Sequence, residues 1–401
     1  MYRIDEIGKS SGWADIWPTA INNLGHVVGR GGSPSGQGRA FRWRPSGMVE
    51  LPPLAGENSC EATGINDSNT VCGNSGSRAC SWSANTVQEL GPGLERANAI
   101  NNAGHIVGTS GGRPTPWLFA NGQATDLDIG AGLFSPVHAG AAMGINNFDR
   151  TVGTLSSLGG DIPVMWDPSA GVVGLKPWTT PSFEAISMAV NDAGLIVGYA
   201  RTSGSNRAIV WENLDGRILP TLNAGADANE IAFDVNAGGE IVGLSGGVAA
   251  RWTGDAVEDL NTRLAPGTGW VLTAAFANND RGQIVGLGGL NGRRAAWVLS
   301  PKLDVLDWRR LPAYVVHIVY GVVLGQAGVI INAKGEVVPV PPVNPAWTML
   351  SPRERSELAS IAMTQLAKDA AGKQPGEASF QSTYKALAEK IAEMRRARRG
   401  E

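Results

Sequence analysis

The 401-residue chain has little charge and few of the residues that usually build catalytic or metal sites. Only 17% of its residues are charged and its formal net charge is −3, so it lacks the basic field that nucleic-acid binding requires. Its four histidines are scattered, and no HExxH, Walker loop, GxSxG, calcium loop or paired CxxC motif occurs. These absences predict a protein that is not an enzyme, with no metal, no cofactor and no nucleic-acid partner.

Cysteine is also scarce, with Cys60, Cys72 and Cys80 lying in one short segment. An odd number of cysteines without metal-ligand spacing argues against a disulfide framework and against a zinc site, and predicts reduced thiols in a sheet. The N-terminus has neither a basic start nor an apolar run, so no secretory signal is visible. We therefore expect a cytoplasmic protein or a component of a larger assembly, with the compartment itself left open.

Glycine and tryptophan are abundant, at 54 and 13 residues, which is typical of turn-rich β proteins. A nine-residue word recurs along the chain, as in INNLGHVVG at 21–29 and INNAGHIVG at 100–108. Each of its seven copies contains an asparagine seven residues before the final glycine, at Asn22, Asn66, Asn101, Asn146, Asn191, Asn236 and Asn279. Each copy is followed by a tryptophan, at Trp43, Trp82, Trp117, Trp166, Trp211, Trp252 and Trp297.

The asparagines are 44, 35, 45, 45, 45 and 43 residues apart, a period typical of solenoids and propellers. Each unit contains a small-residue strand, an Asn-Gly turn, a β-branched strand, an aromatic strand and a leucine-containing strand. Four-stranded units of this length fit propeller blades. The N-terminal segment YRIDEIG resembles a fourth strand with no unit before it, so we expect it to close the ring by completing blade seven. A β-solenoid is the alternative.

The recurrent word, with its trailing RAFRW and LPPLAG, resembles the HAF-repeat family, whose members are described as extracellular repeats. The resemblance covers roughly residues 1–300 and implies a repeated β architecture without assigned catalytic residues. The aromatic word departs from the pattern in units three and four, where it becomes RPTPW and IPVMW.

If the first strand of each unit is innermost, the uniform Asn-Gly turns share one face and the variable loops lie on the other. Variable loops on a rigid scaffold are where binding usually occurs. The candidate binding residues on that face are Glu61, Arg96, Phe134, His138, Trp178, Phe183, Glu184, Glu230 and Trp270. Aromatic residues beside carboxylates favour a sugar, a peptide or a partner surface, whereas the alternative is that these are ordinary loop residues.

A carbohydrate-active enzyme is the alternative function. Glu61, Glu184 and Glu230 would then meet across a central channel, as the paired carboxylates of a glycosidase do. Two carboxyl groups at such a separation in a cleft would support this hypothesis.

Residues 301–350 differ in composition from the repeats. Residues 313–331 are the most apolar stretch, which leaves a membrane tether, a buried helix and a β or packed interface as alternatives. The sequence IINAKGEVVP at 330–339 matches the repeat word and indicates a degenerate eighth unit or a hairpin. The following VPVPPVNP indicates a linker.

Residues 351–401 are predicted to form a helical tail, which begins at a capping box of Ser351, Pro352 and Glu354. Its second part carries an apolar stripe at Phe380, Tyr384, Leu387, Ile391 and Met394. The stripe needs a partner, either within the chain or in another protein. The whole pattern favours a seven-bladed β-propeller over residues 1–300 that acts as a non-enzymatic binding or scaffold protein, docked to a partner by its C-terminal segment.

Overall fold

A computed structural model describes residues 2–301 except 10, 113, 128, 130–136, 159, 177–183, 203–204 and 224–228, together with two short strands near the C-terminus. The chain divides into two compact units, Met1–Lys302 and Leu303–Glu401. The first unit is a seven-bladed β-propeller of four-stranded antiparallel blades, as the repeat predicts. It has no α-helix among the described residues.

The first three blades follow the chain in order, with four consecutive strands each. Blade one comprises β2 (Ala14–Ile21), β3 (Val27–Gly32), β4 (Gly38–Arg44) and β5 (Gly47–Leu51). Blade two comprises β6 (Cys60–Ile65), β7 (Val71–Ser75), β8 (Arg78–Ser83) and β9 (Thr86–Glu89). Blade three comprises β10 (Leu94–Ile100), β11 (Ile106–Ser110), β12 (Pro116–Ala120) and β13 (Gln123–Asp126).

The next three blades repeat this arrangement. Blade four comprises β14 (Val137–Ile145), β15 (Thr151–Ser157), β16 (Gly160–Asp167) and β17 (Gly171–Gly174). Blade five comprises β18 (Glu184–Val190), β19 (Ile196–Thr202), β20 (Ser205–Glu212) and β21 (Asp215–Ile218). Blade six comprises β22 (Glu230–Val235), β23 (Ile241–Ser245), β24 (Val248–Thr253) and β25 (Ala256–Asp259), followed by a short 3-10 helix, Leu260–Arg263.

Blade seven joins the two ends of the propeller. It comprises β26 (Trp270–Asn278), β27 (Ile284–Leu290) and β28 (Arg293–Pro301), with β1 (Tyr2–Glu6) as its outermost strand. Strand β1 pairs antiparallel to β28, with Tyr2 opposite Pro301 and Glu6 opposite Trp297. The prediction that the N-terminal strand closes the ring is therefore confirmed.

The recurrent tryptophan and the β-branched second strand build the core between blades. All seven tryptophans are buried, five of them completely. Each packs with residues of the neighbouring blade; Trp252 of blade six, for example, lies in one cluster with Val197 and Val210 of blade five. The cysteines are buried and reduced within this core, as predicted, and burial raises the pKa of the Cys72 thiol to about 12.

The final glycine of the word is required by a β-bulge. In every blade the register between the first and second strands slips by one residue, three positions before the recurrent asparagine. The slip brings a main-chain carbonyl of the first strand against the glycine, so a Cβ at Gly198 would collide with the Ile186 oxygen. The same collision recurs at the equivalent glycine of all seven blades.

In the C-terminal unit the structure describes a hairpin of β29 (Val329–Ile331) and β30 (Val337–Pro339). The interpretation of 330–339 as a hairpin or a degenerate eighth unit stays a prediction. The rest of the apolar segment 313–331 and the helical tail, including its stripe, lie outside the described residues. Over the part of the chain that is described, no helix has the length and hydropathy to cross a membrane.

Candidate binding channel

A closed ring of asparagine side chains lies at one end of the propeller axis. The Nδ2 of each recurrent asparagine donates to the main-chain oxygen of the asparagine in the next blade, from Asn22 to Asn66 and onward until Asn279 returns to Asn22. The seven hydrogen bonds measure 2.8–3.1 Å. Each Oδ1 also accepts from the N–H four residues later, inside its own turn. The asparagine therefore links blades as well as shaping its turn. We call this end the turn face.

A second ring surrounds the first and has one gap. In six of the seven blades the residue after the recurrent asparagine donates its N–H to the side chain of its counterpart in the next blade, as Asn23 does to Asp67 at 2.8 Å. Six blades contribute an Asn or Asp side chain, and blade six contributes Ala237. The described side chains of this ring largely satisfy one another, with the carboxylates of Asp67 and Asp280 both accepting from Asn23. Most hydrogen-bond donors and acceptors of the turn face therefore bond to neighbouring blades of the propeller.

Histidine on the turn face also has a structural partner. His26 and His105 hydrogen-bond through Nδ1 to Asn69 and Asp149 of the next blade, at 2.5 and 2.7 Å. Blades two and four have Asn69 and Asp149 in this turn, at φ of 62° and 60°, where the other five blades have glycine. The sequence indicates only a tolerated turn position for the histidines, but the structure shows an inter-blade contact.

The first strands of all seven blades line a cavity of about 250 Å³ on the axis, as expected for innermost strands. Two positions of each strand are relevant: the bulge position, three residues before the recurrent asparagine, and the upper position, five residues before it. Both are at least partly exposed in every blade while the residue between them is buried, so both lie on the channel side of the strand.

The channel side is polar in blades one to three and apolar in blades four to seven. The upper position holds, in blade order, Trp17, Glu61, Arg96, Ala141, Ile186, Ile231 and Ala274. The bulge position holds Thr19, Thr63, Asn98, Met143, Met188, Phe233 and Phe276. Thr19, Thr63 and Asn98 donate to main-chain oxygens of the next blade, whereas their four counterparts form an apolar wall. The backbone has the same bulge in all seven blades, so the asymmetry of the channel lies in its side chains.

The end of the channel opposite the turn face, which we call the loop face, carries a cavity of about 390 Å³ between blades one and two. Trp17 lies in its wall, and the guanidinium groups of Arg294 and Arg30 lie 3.9 and 5.7 Å from the Trp17 ring centre. Glu61 lies 3.8 Å from Arg30 and accepts from Asn74 at 3.2 Å. The cavity wall thus contains an aromatic ring, a positively charged hydrogen-bond donor and a negatively charged acceptor.

The structure places the predicted site residues in different surroundings. Glu61 and Arg96 occupy the upper position in the channel, and His138 lies in strand β14. Trp270 is partly buried at the start of β26 and packs against the core. Phe134, Trp178 and Phe183 lie outside the described residues. Trp17 and Arg30 are not predicted from the sequence, because they lie in strands β2 and β3 and not in the variable loops between blades.

The three carboxylates proposed for glycosidic chemistry are each engaged separately. Glu230 is fully buried, pairs with Arg207 at 3.1 Å and accepts from Ser245, so it does not face the channel. Glu184 is partly exposed and lies 3.5 Å from Arg201. Of the three, only Glu61 lines the cavity on the loop face. Within the described residues no group of His, Cys, Asp or Glu could hold a metal ion.

Solved structures with a similar fold include a puromycin-hydrolysing peptidase from Mycobacterium tuberculosis, with a TM-score of 0.52 and 11% identity over 73% of this chain. This chain spans 51% of the peptidase. YCF48 bound to D1 peptide has a TM-score of 0.49 at 10% identity, covering 76% of this chain and 97% of its own. An oligogalacturonate lyase in complex with manganese has a TM-score of 0.45 at 10% identity, covering 77% and 98%.

At 11% identity, the likeness to the peptidase shows the propeller fold alone. No protein-family model matches the chain. No curated protein matches it either.

Proposed function

We propose that this protein is a non-enzymatic binding or scaffold protein that holds its ligand or partner at the loop face and in the adjoining channel. The observation that carries the proposal is the contrast between the two ends of the axis. Nearly identical asparagine turns repeat at the turn face, while the upper position differs in chemistry from blade to blade. Side chains that vary on a constant backbone are those not required to build it, and they are available for recognition.

Trp17, Arg30, Glu61 and Asn74 would supply the recognition. A tryptophan beside a few fixed polar groups, in a cavity of about 390 Å³, fits the general composition of a ligand site. The C-terminal stripe, with Leu387 and Ile391 at its centre, would dock to a partner and so attach the propeller to an assembly.

A photo-cross-linking amino acid placed on each face of the full-length chain tests the proposal. Val271 at the loop-face end of β26 and Phe148 on the turn face are suitable positions because both are large, apolar and exposed. In lysate of the native host we expect a discrete adduct from position 271 and none from position 148. Equal adducts from both positions, or adducts from position 148 alone, would contradict the assignment of the binding face.

The contribution of the tail has its own test. Replacing Leu387 and Ile391 by Asp in the full-length chain removes the apolar stripe and leaves every residue of the propeller sequence unchanged. We expect these changes to remove, from the complex purified without cross-linking, the partner that the cross-linker at position 271 identifies. If the partner is retained, the tail has no role in docking.

A carbohydrate ligand is the second candidate, favoured by Trp17 with Asp15, Glu61 and Asn74 in the wall of one cavity. A hydrolase would require Glu61 and Asp15 as its carboxylate pair. A screen of glycans with the wild type and with Glu61→Gln separates the alternatives. Binding without hydrolysis supports a lectin-like site, and hydrolysis lost in Glu61→Gln would overturn the non-enzymatic assignment.

A further inference from the structure

Two positions of the first strand break the repeat, and one of them, Asp234, lies in the wall of the axial cavity. The residue two before the recurrent asparagine is Ala or Gly in six blades, at Ala20, Gly64, Ala99, Gly144, Ala189 and Ala277, but Asp234 in blade six. The residue one before the asparagine is Ile or Val in six blades, at Ile21, Ile65, Ile100, Ile145, Val190 and Val235, but Asn278 in blade seven. The other blades show that the fold needs neither polar side chain at these positions.

The two polar side chains are adjacent and have unused hydrogen-bond acceptor capacity. Asp234 accepts from the N–H of Val235 and from the N–H of Asn278, both at 2.9 Å, and has no ion-pair partner among the described residues. Asn278 is 6% exposed and donates through Nδ2 to the Glu240 carbonyl at 2.8 Å. Its Oδ1 is buried without a donor, and leaving such an atom unpaired is costly.

The surroundings of Asp234 are otherwise apolar. Phe233 and Phe276 line the same cavity with their rings edge to face at 5.4 Å, and Met143 and Met188 continue this wall. A carboxylate without a counter-ion beside aromatic rings attracts a positively charged N–H donor. Anions are disfavoured there by Asp234. Magnesium and calcium require more oxygen ligands than these two side chains provide.

We propose that the channel binds a small ligand with a protonated amine and an apolar body. The amine would lie on the carboxylate of Asp234, and the body would lie against Phe233, Phe276, Met143 and Met188. This proposal rests on the broken repeat and on the carboxylate without a counter-ion in the cavity wall, and it is independent of the partner proposed for the loop face.

The repeat itself supplies the test variants. Asp234→Ala and Asn278→Ile install the residues that other blades use at the same positions, so both variants should fold. Met143 and Met188 provide the reporter, as their 13C-labelled methyl groups line the cavity and can be assigned with Met143→Leu and Met188→Leu. The probe is hexylammonium, with hexanol and hexanoate as the neutral and anionic controls of equal length.

We expect hexylammonium to shift both methionine methyl signals saturably, with hexanol and hexanoate causing little change. Asp234→Ala should weaken hexylammonium binding at least about tenfold, and Asn278→Ile should weaken it less. The absence of a saturable shift in the wild type would overturn the proposal. Equal binding of hexanol, or unchanged affinity in a folded Asp234→Ala variant, would overturn it as well.

Discussion

One asparagine side chain serves two blades at each of the seven inner corners of the turn face. Its Oδ1 fixes its own turn and its Nδ2 reaches the carbonyl of the next blade, as in Asn66, which accepts from Thr70 and donates to Asn101. A carboxamide donates from its nitrogen and accepts at a separate oxygen, so one short side chain can reach two groups in different directions. This double use explains why asparagine occurs in every copy, whereas an isolated turn would also accept Asp or Gly.

Asn66→Asp tests this role with almost no change in shape. The substitution removes the donor and places a carboxylate against the Asn101 carbonyl in a buried site. We expect it to lower the free energy of unfolding by about 1–3 kcal/mol at neutral pH. Denaturant unfolding measures this, with Asn121→Asp at an exposed turn as the matched control. Equal stability of the two variants would show that the ring bond is dispensable.

Glycine is required at the end of the recurrent word for a different reason, which is steric. At Gly198 a Cβ would collide with the main chain of Ile186 and Ser187, which cannot move without disturbing the bulge. Gly198→Ala should therefore cost about 2 kcal/mol or more in unfolding free energy. The control is Gly289→Ala in a strand of blade seven, where the nearest atom to a Cβ is the Arg293 oxygen at 3.9 Å. A Gly198→Ala variant as stable as Gly289→Ala would refute the explanation.

Asp234 predicts a pH dependence of stability. Burial raises its pKa to about 6; the N–H groups of Asn278 and Val235 act in the opposite direction, and Asp280 raises it further. The folded protein thus holds this proton more tightly than the unfolded chain does. The stabilisation that the protonated group provides is present below about pH 4 and lost as pH rises through about 6.

The unfolding free energy of the wild type relative to Asp234→Ala should therefore fall by about 2–3 kcal/mol between pH 4 and pH 7. The comparison with Asp234→Ala removes the contributions of other titrating groups. Parallel pH profiles of the two proteins would mean that Asp234 is not perturbed in the fold.

At the scale of the element, the first strand and its turn form the unit that is repeated. The second ring on the turn face has its gap where Ala237 leaves the N–H of Asp192 without the side-chain acceptor that other blades provide. Asn147, one blade earlier, shows the complete arrangement, with N–H and Nδ2 both donating to Asp192 at 2.8 Å.

Ala237→Asn should close this ring and raise the unfolding free energy by about 0.5–1.5 kcal/mol, since the new Oδ1 would meet the Asp192 N–H. Thermal or denaturant unfolding measures the gain. Ala103→Asn, at an exposed position of the blade-three turn, controls for the residue itself. A gain no larger than that of the control would argue that the gap has no energetic effect.

At the scale of the whole molecule, the sequence is sufficient to predict the architecture, because period, Asn-Gly turns and the unpaired N-terminal strand all point to a closed ring. The inter-blade bonds of Asn22 and His26 are not predictable in the same way, since they join residues about 44 positions apart and depend on ring closure. Simple strand alternation does not predict which residues face the channel, Trp17 among them, because a bulge interrupts the alternation. Asp234 and Asn278, by contrast, are detectable from the sequence once the seven units are aligned.

The central claim is that the repeated residues build the ring and that the non-repeated upper position performs the binding. The direct test is the yield of the adduct from a cross-linker at position 271, measured in a Trp17→Ala, Glu61→Gln, Arg96→Ala triple variant whose unfolding transition is recorded alongside. We expect the triple variant to keep a cooperative unfolding transition, lowered by the loss of Trp17 packing on Phe276, while the adduct disappears. A triple variant that folds normally and retains the full adduct yield would contradict the account.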